Sequence, residues 1–200
     1  MFIIGLTGGI GTGKSTVSGY LEDKGCLILD ADKISRQMTE KGQPALNEIG
    51  AAFGFELIND DGCLDRQALG NIVFNDKKKL DILQSIITQK VVEHINNRLD
   101  ELKKDNTEDI IVIDAPLLFE CGMEDLADEN WLVSASLDVR LDRVQKRDGL
   151  SKEEIISRIN NQMSQEDKEK LSQVILDNSG TLEELYRQID LNLERVKNEF

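Results

Sequence analysis

The sequence predicts an α/β protein built on a five-stranded parallel sheet, and three observations carry that reading. Five short apolar runs, at 2–6, 26–29, 110–113, 131–133 and 174–176, are separated by helical patterns, and strands that alternate with helices form a parallel sheet covered by its crossovers. Most of these runs are nearly continuous in Val, Ile and Leu, as in strands buried on both faces. The first leads straight into Gly8-Gly9-Ile10-Gly11-Thr12-Gly13-Lys14-Ser15, which fits G-x-x-x-x-G-K-[ST], a phosphate cradle when a strand precedes it and a helix follows. At 200 residues and 40% hydrophobic content the chain can bury one good core but is short for two, so it is read as one domain, 1–200, with insertions.

Phe2-Ile3-Ile4-Gly5-Leu6 is the strand that feeds the loop. Glycines let the backbone fold tightly around phosphate oxygens with N–H groups inward, and the helix that continues from Thr16 through Leu21 turns its positive N-terminus toward the same charge. Lys14 would then reach the β- and γ-phosphates, and Ser15 would place its hydroxyl on Mg²⁺. The plain alternative is a glycine turn between packed elements. The second run, Cys26 to Leu29, is followed by Asp30-Ala31-Asp32, two carboxylates at the C-terminal edge of the sheet. If the strand continues, alternation puts both on one side. Asp32 there can orient an acceptor alcohol and take its proton, or it can be the N-cap of the next helix.

The segment from about 34 to 104 is much longer than an ordinary crossover, so it is predicted to carry helices of its own near the strand ends where α/β ligands bind. Within it Lys77 to Lys104 reads as one helix with Leu80, Leu83, Ile86, Ile87, Val91, Ile95 and Leu99 at core spacing, and His94 as a solvated residue. The third run ends in Asp114, either an acid that holds Mg²⁺ directly or through water, or a turn residue before Pro116. In the polar stretch from about 138 to 170, Arg140, Arg143 and Arg147 sit three and four residues apart and can share a helix face. Their forks suit phosphate oxygens, although Asp138, Asp142 and Asp148 offer simple ion pairs. That stretch, with the charged run 164–170, is either a mobile lid or a solvated helix pair. After Ser179-Gly180-Thr181 a closing helix carries the stripe Leu182, Leu185, Ile189, Leu193 and Val196.

The formal net charge of −14 opposes non-specific binding to nucleic acid or anionic membranes, and the favoured partner is a small anionic molecule. Three cysteines without a C-x-x-C pair read as reduced cytoplasmic thiols. The apolar start lacks a basic n-region, a signal peptide there would remove the glycine loop, and no run approaches the length of a membrane span. A cytoplasmic monomer or weak homo-oligomer is expected.

Several segments together resemble the dephospho-CoA kinase family across essentially the whole chain. They are G-L-T-G-G-I-G-T-G-K-S-T at 5–16, D-A-D at 30–32, Phe53-Gly54, Gly62-Cys63-Leu64-Asp65-Arg66, Asp114 through Glu120, Arg143 to Asp148, Arg158-Ile159 with Gln162, and Asp177-Asn178-Ser179-Gly180. The resemblance implies a three-layer P-loop kinase fold with a helical acceptor-binding insertion at about 34–104 and a helical lid at about 138–170. It implies ATP as co-substrate, Mg²⁺, and transfer of the γ-phosphoryl to the ribose 3′-hydroxyl of dephospho-CoA. By the same resemblance Gly11, Thr12, Gly13, Lys14, Ser15 and Thr16 hold the ATP phosphates, and Asp32 is the base or orients the acceptor. Arg143 reaches the transferring phosphate, Asn178 and Gly180 form the turn beside the adenine, and Asp65, Arg66, Pro116 and Leu117 lie on the acceptor side. Two positions depart from the family pattern: Thr88-Gln89 stands where relatives carry His-Pro, and Ser172-Gln173 where they carry Ala-Asp.

A nucleoside or nucleotide kinase would share the loop and lid but need a different acceptor pocket. A GTP-dependent regulatory switch should carry N-K-x-D, which the sequence lacks, and a nucleic-acid motor is disfavoured by size and charge.

Overall fold

A computed structural model describes residues 1–74, 76–104 and 110–198. In chain order the elements are β1 (Phe2–Gly8), α1 (Lys14–Asp23), β2 (Leu27–Asp30), α2 (Ala31–Met38), α3 (Pro44–Phe53), α4 (Arg66–Val73), α5 (Lys77–Lys104), β3 (Ile110–Asp114), β4 (Glu129–Ser134), α6 (Leu137–Asp148), α7 (Lys152–Asn160), α8 (Gln165–Leu171), β5 (Val174–Asp177) and α9 (Leu182–Lys197). They fall into two compact units, residues 1–29 with 106–200, and residues 30–105.

The first unit holds the α/β layers, with strand order β2-β3-β1-β4-β5. β1 runs parallel to β3, with Leu6 opposite Asp114, and to β4, with Thr7 opposite Leu132; β4 runs parallel to β5, with Ser134 opposite Asp177. The first crossovers therefore build β2 and β3 on one side of β1, and the chain then passes to the other side to add β4 and β5. Such a switch point opens a crevice at the carboxyl ends of the strands, where the glycine loop begins.

β3 and β4 are buried along almost their whole length, as continuous apolar runs require. β2 and β5 close the two edges and are half-exposed, with Leu27 and Ile175 reaching solvent. One sheet face is covered by α1 and α9, whose Val17, Leu21, Leu185, Ile189, Leu193 and Val196 pack with Ile4, Leu6, Val112, Trp131, Val133 and Leu176. α9 starts where expected because Thr181 caps it: its hydroxyl accepts from the Glu184 N–H while the Glu184 carboxylate accepts from the Thr181 N–H. Leu182, in the first turn, is 53% exposed and lies outside the core that the later stripe residues join. Truncating fully buried Leu185 to alanine is expected to cost about 2–5 kcal/mol, measured by urea unfolding. A loss below about 0.8 kcal/mol, less than one buried methylene, would mean that α9 is not part of the core.

In the second unit α2, α3 and α4 pack against α5. Asp76 starts α5 by accepting from the Lys78 and Lys79 N–H groups, and Lys90 pairs with Glu48 at 2.7 Å. The predicted stripe is buried over the second half of α5, at Val91, Ile95 and Leu99. Leu80 is exposed and Leu83, Ile86 and Ile87 are half-buried, because the shorter helices do not cover the first turns as deeply. His94 is exposed, as expected.

Candidate active site

The glycine loop takes its shape from two left-handed glycines, Gly11 at φ 79° and Gly13 at φ 87°. Both are also crowded: a Cβ on Gly13 would run into the Asn178 side chain, and one on Gly11 would lie 2.8 Å from the Arg140 carbonyl. Thr12 ties the loop to itself, its hydroxyl donating to the Gly9 carbonyl at 2.9 Å. Gly13 is the residue before α1 and offers no side-chain cap. The N–H groups of Gly11, Gly13, Lys14 and Ser15 find no acceptor among the described residues, so the loop presents uncommitted donors at a positive helix end.

Lys14 forms an ion pair with Asp114, which ends β3. Both side chains are largely buried, so the pair is poorly screened, and the acid stands beside the loop rather than only shaping the turn before Pro116. Asp114 and the Ser15 hydroxyl are hard oxygen donors. Among the described residues no cluster of three acidic, histidine or cysteine side chains exists to cage a metal. Mg²⁺ usually takes one or two carboxylates and completes its shell with substrate phosphates and water, so this donor set fits it.

The three arginines of α6 have separate fates. Arg147 pairs with its neighbour Asp148 at 2.7 Å on the exposed side. Arg143 donates to the carbonyls of Asn178 at 2.9 Å and Thr12 at 3.4 Å, bracing the loop against the turn after β5. Arg140 is buried and donates Nε to the Ile10 carbonyl at 2.9 Å. Asn178, 2% exposed, donates its amide to the Thr12 carbonyl at 2.7 Å, so the turn after β5 is tied directly to the loop. Gly180 sits close against the Glu184 carboxylate at the start of α9.

α6 to α8 lie on the loop in this structure. Gln162, just past α7, accepts from the Ile10 N–H at 3.1 Å, and Gln165 donates to the Ser134 hydroxyl at 2.8 Å. Lys168, part of the charged run read as solvated, is 1% exposed; its ammonium donates to the Pro116 carbonyl at 2.9 Å and pairs with Glu120 at 3.0 Å. Nothing in the charge pattern distinguishes Lys168 from exposed Lys170, which pairs with Asp167. Pro116 also accepts from the Thr7 hydroxyl at 3.2 Å, and Leu117 beside it is exposed. Ser172-Gln173 serves structure: the Ser172 hydroxyl caps α8 on the Lys168 carbonyl, and Gln173 exchanges two hydrogen bonds with the Asn130 backbone.

In the unit formed by 30–105, β2 stops at Asp30 and α2 begins at Ala31, so strand alternation does not reach Asp32. Asp30 is the N-cap, its carboxylate accepting from the Lys33 N–H at 2.9 Å. Asp32 is an exposed residue of the first helical turn and is not the cap. Asp65 caps α4 through the Ala68 N–H at 2.9 Å, and Arg66 donates to the Thr39 hydroxyl at 2.8 Å.

A family model described as CoaE: Dephospho-CoA kinase matches residues 2–184. The chain is 45% identical over 183 residues to a dephospho-CoA kinase of Moorella thermoacetica, covering 92% of this chain and 86% of that one. Among solved structures, TT1252 from Thermus thermophilus aligns with a TM-score of 0.76 at 36% identity over 97% of both chains. Dephospho-CoA kinase from Campylobacter jejuni aligns at 0.74 and 26% identity, covering 99% of this chain and 98% of that one.

Proposed function

We propose that the chain, which belongs to the dephospho-CoA kinase family, transfers the γ-phosphoryl group of ATP to the ribose 3′-hydroxyl of dephospho-CoA, giving coenzyme A and ADP. The observation that carries the nucleotide half of this reading is the set of uncommitted N–H groups of Gly11, Gly13, Lys14 and Ser15, with the Lys14 ammonium beside them. The acceptor half rests on the family match along residues 2–184.

The loop N–H groups hold the phosphate chain, and Lys14 exchanges part of its pairing with Asp114 for the β- and γ-oxygens. Ser15 and Asp114 would hold Mg²⁺, which when bound neutralises charge on those oxygens. Asn178 and Gly180 form the base-side turn, and Asp65, Arg66, Pro116 and Leu117 belong to the acceptor side. Asp32 orients the 3′-hydroxyl and takes its proton. The new O–P bond forms as the bond to the β,γ-bridging oxygen breaks, and that electron pair leaves with ADP. Three free thiols and the absence of any described helix able to cross a membrane support a cytoplasmic enzyme. The −14 charge supports a small-molecule substrate over nucleic acid and, by self-repulsion, a monomer or weak homo-oligomer.

The test is a coupled assay with ATP and Mg²⁺ across acceptor alcohols. Turnover with dephospho-CoA and none with nucleosides or nucleoside monophosphates is expected; the reverse pattern overturns the acceptor assignment in favour of a nucleotide kinase. Arg143→Ala is expected to lower turnover by about 10²-fold while ATP affinity falls less, because its guanidinium, bound here to neutral carbonyls, is available to a phosphate. Arg143→Lys should restore turnover only in part, since an ammonium lacks the fork. Equal losses of affinity and turnover would reduce Arg143 to a brace.

A further inference from the structure

α6 lays two arginines against the glycine loop, and they reach its opposite ends. Arg143 touches Thr12 and the base-side turn at Asn178. Arg140, about 4.5 Å earlier along the helix axis, touches the other end, at Gly9 and Ile10. A Cβ on Gly9 would lie 2.8 Å from Arg140 Nη2, which measures how closely the guanidinium approaches the loop backbone.

Arg140 is 6% exposed, and its acceptors are neutral: the Ile10 carbonyl and, at 3.3 Å, Gln165 Oε1. No carboxylate lies within ion-pair distance of it among the described residues. Burial alone pushes its pKa down, with no nearby charge opposing the shift. Lys14 and Lys168 are also withdrawn from water, but each has its carboxylate, Asp114 and Glu120 respectively. A buried cation without an anion is unfavourable, and a ligand anion relieves it.

The guanidinium borders a cavity of about 380 Å³, within the range of small-molecule sites, whose walls include Gly9, Thr12, Gln162, Gln165 and Lys168. Gln162 spends its carbonyl on the Ile10 N–H, and its amide nitrogen has no partner among the described residues, leaving a second donor at the cavity wall. While the phosphates of a nucleotide are still joined, they have the loop N–H groups and Lys14. The anion for which this end of the loop still has donors is therefore the phosphoryl group after it leaves them.

We propose that this cavity is the site of the newly formed phosphate monoester, and that Arg140 is the catalytic residue that pairs with it. The inference rests on the kinase reaction above. As the 3′-oxygen bonds to phosphorus, the bond to the bridging oxygen breaks with its electron pair on ADP and the hydroxyl proton passes to Asp32. The dianionic ester that results carries its charge to Arg140, with the Gln162 amide as second donor. Product then binds through a group the acceptor lacks, so Arg140 discriminates coenzyme A from dephospho-CoA.

Calorimetric titration of Arg140→Gln and Arg140→Lys with coenzyme A, dephospho-CoA and ATP separates this role from a structural one. Arg140→Gln should weaken coenzyme A by at least about tenfold and leave dephospho-CoA and ATP affinities unchanged, the loss typical of a hydrogen bond to a charged group. Its kcat should fall by about 10²-fold at constant KM for ATP, with Arg140→Lys in between. Equal weakening of coenzyme A and dephospho-CoA would overturn the proposal and assign the cavity to the acceptor diphosphate they share. A parallel loss of ATP affinity would overturn it as well, making Arg140 a brace for Ile10. If Arg140→Gln matches an unaltered enzyme that phosphorylates dephospho-CoA, this inference alone fails. If the unaltered enzyme does not phosphorylate dephospho-CoA, the function fails and the inference with it.

Discussion

Lys14→Ala is expected to lower turnover with dephospho-CoA by at least about a hundredfold, the loss that follows removal of one preorganised charge contact to a transition state. Charge accumulates on the β,γ-bridging oxygen as its bond to phosphorus breaks, and Lys14 opens the helix at the end of the loop proposed to hold those phosphates. The same substitution strands Asp114, whose side chain is only 7% exposed. Removing one partner of such a pair costs up to about 3–5 kcal/mol of stability, so a simple activity measurement would confuse catalysis with unfolding. Lys14→Ala combined with Asp114→Asn removes the stranded charge. That double variant should recover most of the denaturant midpoint but turn over much less than Asp114→Asn alone, which controls for loss of the Mg²⁺-holding acid. Recovery of turnover along with stability would show that Lys14 serves the fold rather than the reaction.

Asp32→Asn is expected to reduce phosphorylation of dephospho-CoA by about 10²–10⁴-fold while ATP still binds, because an amide keeps the size and one acceptor oxygen but cannot take the 3′-hydroxyl proton. Asp30, not Asp32, caps α2, so the amide leaves the helix cap intact, and loss of a first-turn carboxylate from the helix dipole costs about 0.3–1 kcal/mol. Calorimetry with ATP and mass detection of the phosphorylated product read the two steps separately. A variant that retains most of its turnover would leave Asp32 as a helix-surface acid, and Asp65 or Arg66 would have to be examined as the acceptor-side groups.

The five strands, the glycine loop and the closing helix were legible from the chain because each is written in residues adjacent to one another. A strand needs a short apolar run, the loop needs glycines where φ turns positive at Gly11 and Gly13, and α9 needs Thr181 and Glu184 at its start. Helix stripes were legible less completely: periodicity marks which side of α5 and α9 is apolar, but not where a partner stops covering it, so Leu80 and Leu182 face solvent. The Asp30-Ala31-Asp32 segment shows the limit at single-residue scale. Whether alternation continues depends on where the strand yields to the helix, and here it yields at Ala31, which makes Asp30 the cap.

The partners of the loop lie far along the chain. Ile10 meets Gln162, Thr12 meets Asn178 and Arg143, and Lys14 meets Asp114, separations of 100 to 166 residues. Spacing within α6 placed Arg140, Arg143 and Arg147 near one another but could not say that the first is sealed against Ile10, the second braces Asn178 and the third stays with Asp148. Nor could composition separate buried Lys168 from exposed Lys170 within one charged helix. Local propensity and apolar period are properties of a segment, set by backbone sterics and the turn of a helix. The state of a charge depends on which distant surface removes its water and whether an anion comes with it, and that became known when the strands were ordered and α6 to α8 were laid on the loop.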